Sequence, residues 1–261
     1  LNNILWRITD YVTFWFKAGN AHGLHSPFVF DLYTEIITAE KHFYNFDTIS
    51  KLRNSLLINH DKVSILDLGA TGNNSTRTSS ISDITSKSAC SSKKGELLFK
   101  LADNFQSNSI LELGTNVGLS ATYFAMARPN ANIHTIEGAP NLAEIASQNF
   151  QKLKLKNITQ HIGSFENCIE NVLNFMQNVD LVYIDGNHKY EPTINYFNTI
   201  LPFCSENTIL IFDDIHWSKE MLTAWNEIKK NNKVTLSIDL YHIGIIFFKK
   251  VNQKESFMLR F

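Results

Sequence analysis

The sequence predicts an α/β fold: a mostly parallel sheet closed by a C-terminal antiparallel hairpin, with a helical extension at the N-terminus. Three observations carry this reading. From Lys93 onward, short apolar runs alternate with amphipathic stretches of helical period, the signature of strands joined by crossover helices. The run Ile110-Leu111-Glu112-Leu113-Gly114-Thr115-Asn116-Val117-Gly118-Leu119-Ser120-Ala121 reads as a buried strand, a glycine turn and a helix start. Near the end, Val234 to Asp239 and Ile243 to Lys249 are separated only by Leu240-Tyr241-His242, too short for a crossover, which makes these two strands an antiparallel hairpin at the sheet edge.

Length and composition set the outer bounds. With 261 residues, 44% hydrophobic and 19% charged, the chain has ample material for a globular core. A formal charge of −1 without a long basic run argues against a dominant nucleic-acid surface and favours small-molecule partners. Cys90, Cys168 and Cys204 are odd in number and widely spaced, which suggests neither a zinc cluster nor a disulfide framework and fits a reducing cytoplasm. No stretch has the apolar length of a membrane span, and the first residues lack the pattern of a signal peptide. The chain starts at Leu1, so the natural start is expected to lie upstream.

The elements follow in order. Residues 1–60 read as a helical extension. Within 4–17, Ile4, Leu5, Ile8, Tyr11, Val12, Trp15 and Phe16 share one face at helical spacing; packing on protein or across a homodimer is favoured over membrane-surface binding because basic residues are few. Ser26 and Pro27 give the cap and first position of a helix reaching about Ala39, while His22 and His25 read as structural or solvated. Residues 61–92 read as a short strand and a loop. Val63 to Gly72 imitates the glycine motif, but the Ser/Thr-rich stretch 73–92 after it shows no apolar period and no second strand, so it reads as a long surface loop. From 93 to 261 the pattern is regular: helix at Glu96 to Phe105, strand at 109–114, helix at 118–128, strand at 132–137, helix at 140–154 and strand at 158–162. It continues with a helix at 167–178, strand at 180–185, helix at 190–203, strand at 207–213 and helix at 217–231 before the hairpin.

In open parallel sheets ligands bind beyond the carboxyl ends of the strands. Those ends carry Glu112 and Gly114, then Glu137-Gly138, Gly163-Ser164-Phe165, Asp185-Gly186-Asn187-His188 and Asp213-Asp214. Glu137 lies 25 residues after Glu112, the place for a carboxylate that accepts both hydroxyls of a ribose. Gly163 allows close approach, and Ser164 and Phe165 offer a hydrogen bond and an apolar wall. Asp185, Asp213 and Asp214 would repel one another unless a cation or hydrogen bonds compensate; a hard divalent metal is one resolution and helix capping the other. His188, three residues after Asp185, has the pKa range of a general base. His216 and Trp217 are candidates for a substrate wall, with Trp217 equally readable as core.

These residues resemble the class I S-adenosylmethionine-dependent methyltransferases and, within them, the metal-dependent catechol and caffeoyl-coenzyme-A type O-methyltransferases. The likeness covers roughly Lys93 to Lys249 and rests on Lys94-Gly95 before the first strand and on the E-L-G-x-x-x-G-x-S-A turn from Glu112 to Ala121. It implies a Rossmann-like methyltransferase sheet and a cofactor set of Glu112, Gly114, Asn116, Gly118, Ser120, Glu137, Gly138, Gly163, Ser164, Phe165 and Asp185. It also implies Asp185, Asp213 and Asp214 as ligands of Mg or another divalent cation, and Asp185 and His188 as catalytic residues. The family usually has Asn where Asp214 stands, and the catechol group has Lys where His188 stands. His22 to Asp31, H-G-L-H-S-P-F-V-F-D, followed by such a domain, is similar to a group of bacterial methyltransferases. The expected reaction is methyl transfer to a hydroxyl of a phenol or vicinal diol. A metal-independent methyltransferase, an NAD-dependent oxidoreductase and a non-catalytic binding or scaffolding protein are the alternatives.

Overall fold

The computed structural model describes residues 2–67, 75–250 and 253–261. The extension contributes α1 (Asn2–Lys17), α2 (Pro27–Leu32), which runs into a π-helical turn at Tyr33–Ile37, and α3 (Tyr44–Leu57). Next come β1 (Lys62–Asp67), β2 (Ser75–Ser80), α4 (Ile81–Lys87) and α5 (Ser92–Asn104). The alternating part is β3 (Ser109–Leu113), α6 (Leu119–Ala127), β4 (Asn132–Glu137), α7 (Pro140–Lys152), β5 (Ile158–Ile162), α8 (Phe165–Met176), β6 (Val179–Ile184) and α9 (Tyr190–Ile200). It ends with β7 (Cys204–Asp213), α10 (Lys219–Ile228), β8 (Leu236–Asp239), β9 (Ile243–Phe247) and β10 (Glu255–Met258). The fold is mixed α/β with mostly parallel pairing, as the alternation of strand and helix periods predicts. Two compact units make up the chain: Glu40–Phe175, and Leu1–Ala39 with Met176–Phe261.

In the unit Glu40–Phe175, β3, β4 and β5 pair in parallel and in that order. Their inward residues are almost wholly apolar: Ile110, Leu111 and Leu113 of β3 and Ile133 and Ile136 of β4 are at most 1% exposed. Helix α6 is buried on nearly every side, consistent with its uncharged, largely apolar composition. Gly95 lets the neighbouring ring approach, since a Cβ there would lie 2.1 Å from Tyr123. Phe43, Phe46 and Phe99 extend this aromatic contact, with Phe43 and Phe99 centroids 4.7 Å apart.

The Ser/Thr-rich stretch departs from the loop reading. Residues 75–80 form β2, paired antiparallel with β1, and 81–87 form α4, whose Ile81 and Ile84 are buried. Ser80 caps α4 by accepting from the Asp83 N–H at 3.1 Å. The hydroxyl-rich residues hid the strand because a hairpin ladder needs backbone groups, not an apolar face. The glycines of the rival motif, Gly69 and Gly72, lie outside the described residues.

In the other unit the strand order is β10-β8-β9-β7-β6. β6 and β7 are parallel, β9 runs antiparallel to both β7 and β8, and β10 is parallel to β8. The hairpin of β8 and β9 is therefore present but does not form the edge: β9 lies inside, and β10 takes the edge position. Two further findings concern the extension. Ser26 makes no capping hydrogen bond; its hydroxyl donates to Glu255 at 3.1 Å, and the regular α-helix after Pro27 stops at Leu32. Helix α1 docks through residues off its larger apolar face. Phe14 and Ala18 are buried against Tyr241, whereas Ile4, Leu5, Ile8, Tyr11, Val12, Trp15 and Phe16 are all exposed.

Candidate active site

The expected site residues fall into two groups, one in each unit. In Glu40–Phe175 the glycine turn leaves β3 at Gly114 (φ +103°), passes Asn116 (φ +51°) and enters α6 at Gly118 (φ +85°). A Cβ at Gly118 would sit 2.7 Å from the Phe150 ring, so both backbone sign and space require glycine. The turn is held by the next strand. Glu137 Oε2 accepts the Asn116 N–H at 2.7 Å and Oε1 accepts the Ala139 N–H at 2.9 Å, while the Asn116 side chain donates to the Ser88 carbonyl at 3.0 Å. The Ser/Thr-rich stretch thus ends against the glycine turn.

Beneath the turn, Glu112 is fully buried. Thr135 donates its hydroxyl to Glu112 Oε2 at 2.6 Å; its single proton is then committed, so Thr115, 2.5 Å away, is the donor to Thr135. Glu112 Oε1 has no hydrogen-bond partner among the described residues. Burial pushes the Glu112 carboxyl up to about 7 against the hydroxyls of Ser120 and Thr135, and the Glu137 carboxylate adds to the rise. Burial also raises Glu137, opposed by the backbone amides of Ala139, Asn116 and Gly138. Gly138 follows β4 directly, and Gly163 (φ +156°) donates its N–H to the Glu137 carbonyl at 2.9 Å. Ser164 precedes α8 and Phe165 is its first residue. A buried acceptor without a partner, under a glycine turn and beside a second strand-end acid, fits a polar cofactor with a cationic group.

The second group lies at the carboxyl ends of β6 and β7, in the unit Leu1–Ala39 with Met176–Phe261. Asp185 and Asp213 meet through a residue that went unnoticed: the buried Tyr183 hydroxyl lies 3.0 Å from Asp213 Oδ2 and 3.3 Å from Asp185 Oδ2. Tyr183 stands two residues before Asp185, the spacing that puts strand neighbours on one face, so the signal was present. His188 Nε2 is 3.6 Å from Asp185 Oδ1, with both side chains about a fifth to a quarter exposed at 25% and 19%. Asp214 is not part of this pair. Its backbone is left-handed (φ +49°) and its carboxylate faces His242 at 3.8 Å. The described residues contain no group of three or more His, Cys, Asp or Glu placed to hold a metal ion. Asp185 also lies in the other unit from the glycine turn with which it was grouped as cofactor-binding.

His216 and Trp217 part ways. His216 is 5% exposed and clamped between Asp10 of α1 at 2.6 Å and Asp239 of β8 at 3.0 Å, with Trp225 donating to the same Asp239 carboxylate at 3.2 Å. Burial disfavours its charged form, but the two carboxylates outweigh burial and raise its pKa. His216 is a structural tie rather than a pocket wall. Trp217 is 49% exposed, with the Arg7 guanidinium 4.5 Å above its ring and the His188 ring 6.3 Å away, so it is not core.

A methyltransferase-domain family model matches residues 111–215, the span that holds both groups. Over that span the chain matches a methyltransferase domain, and its fold is the Rossmann-like fold of methyltransferase structures. Among curated proteins it is 32% identical over 147 residues to the uncharacterized protein R132 of Acanthamoeba polyphaga mimivirus, a match covering 51% of this chain and 65% of that one. It is 28% identical over 128 residues to a catechol O-methyltransferase of Niastella koreensis, covering 48% of this chain and 57% of the relative. Among solved structures, the S-adenosylhomocysteine-bound methyltransferase PaMTH1 of Podospora anserina superposes with a TM-score of 0.61 at 15% identity, over 87% of this chain and 98% of that one.

Proposed function

We propose that this chain transfers a methyl group from S-adenosylmethionine to a hydroxyl oxygen of a small molecule. The observation that carries the reading is the glycine turn over the buried, half-partnered Glu112, held by Glu137 at the next strand end. Glu112 Oε1 is the acceptor for a cationic ammonium, which would keep this carboxylate ionised despite its burial. Glu137 has lone pairs left for ribose hydroxyls beside its backbone amide contacts, since each carboxylate oxygen accepts more than one hydrogen bond. Ser164 and Phe165 are assigned to the base. When bound, S-adenosylmethionine supplies an already activated methyl, so the protein's share is alignment and proton removal.

In this proposal His188 takes the proton of the acceptor hydroxyl as the new oxygen–carbon bond forms and the carbon–sulfur bond breaks. Asp185, 3.6 Å away, stabilises the imidazolium that results. A second reading adds a divalent cation, and the convergence of Asp185 and Asp213 on one phenol favours it. Those two carboxylates would hold the ion, which would supply acidification of the hydroxyl; Asp214 stands outside the pair. The supports for oxygen as acceptor are the strand-end acids with His188 and the likeness to a catechol O-methyltransferase.

The test is incubation with labelled S-adenosylmethionine and a metabolite extract, with and without Mg, followed by identification of the labelled product. His188→Gln is expected to lower turnover by about a hundredfold or more while leaving S-adenosylhomocysteine affinity unchanged. An unaltered rate removes His188 as the base, and a rate that survives chelator removes the cation.

A further inference from the structure

One turn of helix α1, well before the matched span 111–215, is fitted to the loop that carries Trp217. Arg7 and Asp10, three residues apart and so neighbours on one stripe of the helix, meet the consecutive residues Trp217 and His216. Asp10 Oδ2 is 2.6 Å from His216 Nδ1, and the Arg7 guanidinium lies 4.5 Å over the Trp217 ring. The helix backbone is fixed at the same place. The Tyr241 hydroxyl donates to the Arg7 carbonyl at 3.3 Å, and the Phe14 ring packs on Tyr241 with centroids 5.2 Å apart. Trp217 is fixed from its own side: His216 before it is held by Asp10 and Asp239, and Ser218 after it caps α10 by accepting the Met221 N–H at 3.1 Å. Its ring is nevertheless 49% exposed, with the His188 ring 6.3 Å away. A rigid, half-exposed indole beside the residue assigned as base offers a flat apolar wall to an acceptor.

Charge narrows the acceptor further. Arg7 is exposed, and among the described residues no carboxylate pairs with its guanidinium and none of its side-chain N–H groups donates a hydrogen bond. The acids of this unit that line the same end have other partners: Asp10 and Asp239 meet His216, Asp185 and Asp213 meet Tyr183, and Asp214 faces His242. An unpaired arginine on a mobile surface would be ordinary. This one stands on a pinned turn with its plane against an indole, so much of the side-chain entropy that ligand binding would cost is already spent. Stacking uses the face of the guanidinium and leaves its edge for a planar oxyanion, which it holds by two parallel hydrogen bonds. We propose that Arg7 determines acceptor specificity by binding the carboxylate of an aromatic hydroxy acid whose ring lies along Trp217 and whose hydroxyl reaches His188. The inference rests on the methyl-transfer reading and adds the chemical class of the acceptor: a phenolic acid rather than a neutral phenol or a sugar diol.

The test is calorimetric titration of the full chain, with S-adenosylhomocysteine present, using protocatechuate, a catechol that bears a carboxylate, and the corresponding uncharged amide. Turnover of both compounds with labelled S-adenosylmethionine follows. Wild type is expected to bind protocatechuate about tenfold more tightly than the amide, and added salt is expected to narrow the gap. Arg7→Gln should reduce the gap to less than about twofold by weakening the carboxylate, with the loss in turnover falling on KM rather than kcat. Arg7→Lys, which keeps the charge but not the planar fork, should retain part of the gap, a rescue that mere loosening of α1 would not give. Equal affinity of wild type for the two compounds, binding of neither, or a gap that Arg7→Gln leaves intact would overturn the proposal. Preferential binding without methyl transfer to either compound would keep the acid site and remove the methyl-transfer reading, whereas transfer to both with equal KM would remove Arg7 alone.

Discussion

Glu112 has the most to lose from its position. A carboxyl raised from 4.5 to about 7 by burial binds its proton more tightly in the folded chain than in the unfolded one. Its contribution to stability is therefore full below the unfolded value and is lost as pH rises through about 7, and Glu137, raised in the same direction, adds to that slope. Denaturation of the ligand-free protein is expected to show stability falling between pH 5 and 8 by no more than about 3 kcal/mol from Glu112. Glu112→Gln, which cannot ionise, should flatten this decline, and an unchanged slope would show that the carboxyl is not strained by burial. Tyr183 makes the complementary case. Tyr183→Phe removes the donor shared by Asp185 and Asp213 and should cost about 1–3 kcal/mol near neutral pH. If the pair accepts a cation, added Mg should restore stability to this variant more than to wild type.

Among the elements, α1 shows how a helical period identifies a helix without identifying which face it buries. Seven apolar residues on one face outweigh Phe14 and Ala18 on the other in any pattern count, yet the smaller set is the buried one. The inward face is chosen by specific partners that lie far away in sequence: Tyr241 against Phe14 and His216 against Asp10. Phe14→Ala is expected to cost about 3 kcal/mol or more in urea denaturation, and Phe16→Ala less than about 0.5 kcal/mol. The reverse order would mean that the helix docks by its other face. At the glycine turn, Gly118→Ala meets both a left-handed backbone and the Phe150 ring at 2.7 Å. A loss on the order of 2 kcal/mol or more is expected from the same measurement, together with weaker cofactor binding.

For the molecule as a whole, what was legible in the sequence is what local chemistry determines. The strand and helix alternation, the turn from Glu112 to Ser120 and the acids at the strand ends all follow from apolar period and glycine placement, and the structure has them where they were read. What was missed depends on pairing between distant segments. β2 is hydroxyl-rich and is stabilised as a strand by its ladder to β1, β10 is four residues paired to β8, and Tyr183 stands between two carboxylates from different strands. Asp214 follows the end of β7 with a left-handed backbone, which apolar period does not reveal, and its carboxylate faces His242.

The central claim is that the turn over Glu112, held by Glu137, binds a methyl donor rather than a nicotinamide dinucleotide. Thermal denaturation with S-adenosylhomocysteine and, separately, with NADH tests it most directly, because a ligand that binds only the folded state raises Tm. The expected result is a concentration-dependent rise with S-adenosylhomocysteine that Glu137→Ala abolishes, and none with NADH. A rise with NADH alone, or a rise with S-adenosylhomocysteine that survives Glu137→Ala undiminished, would contradict it.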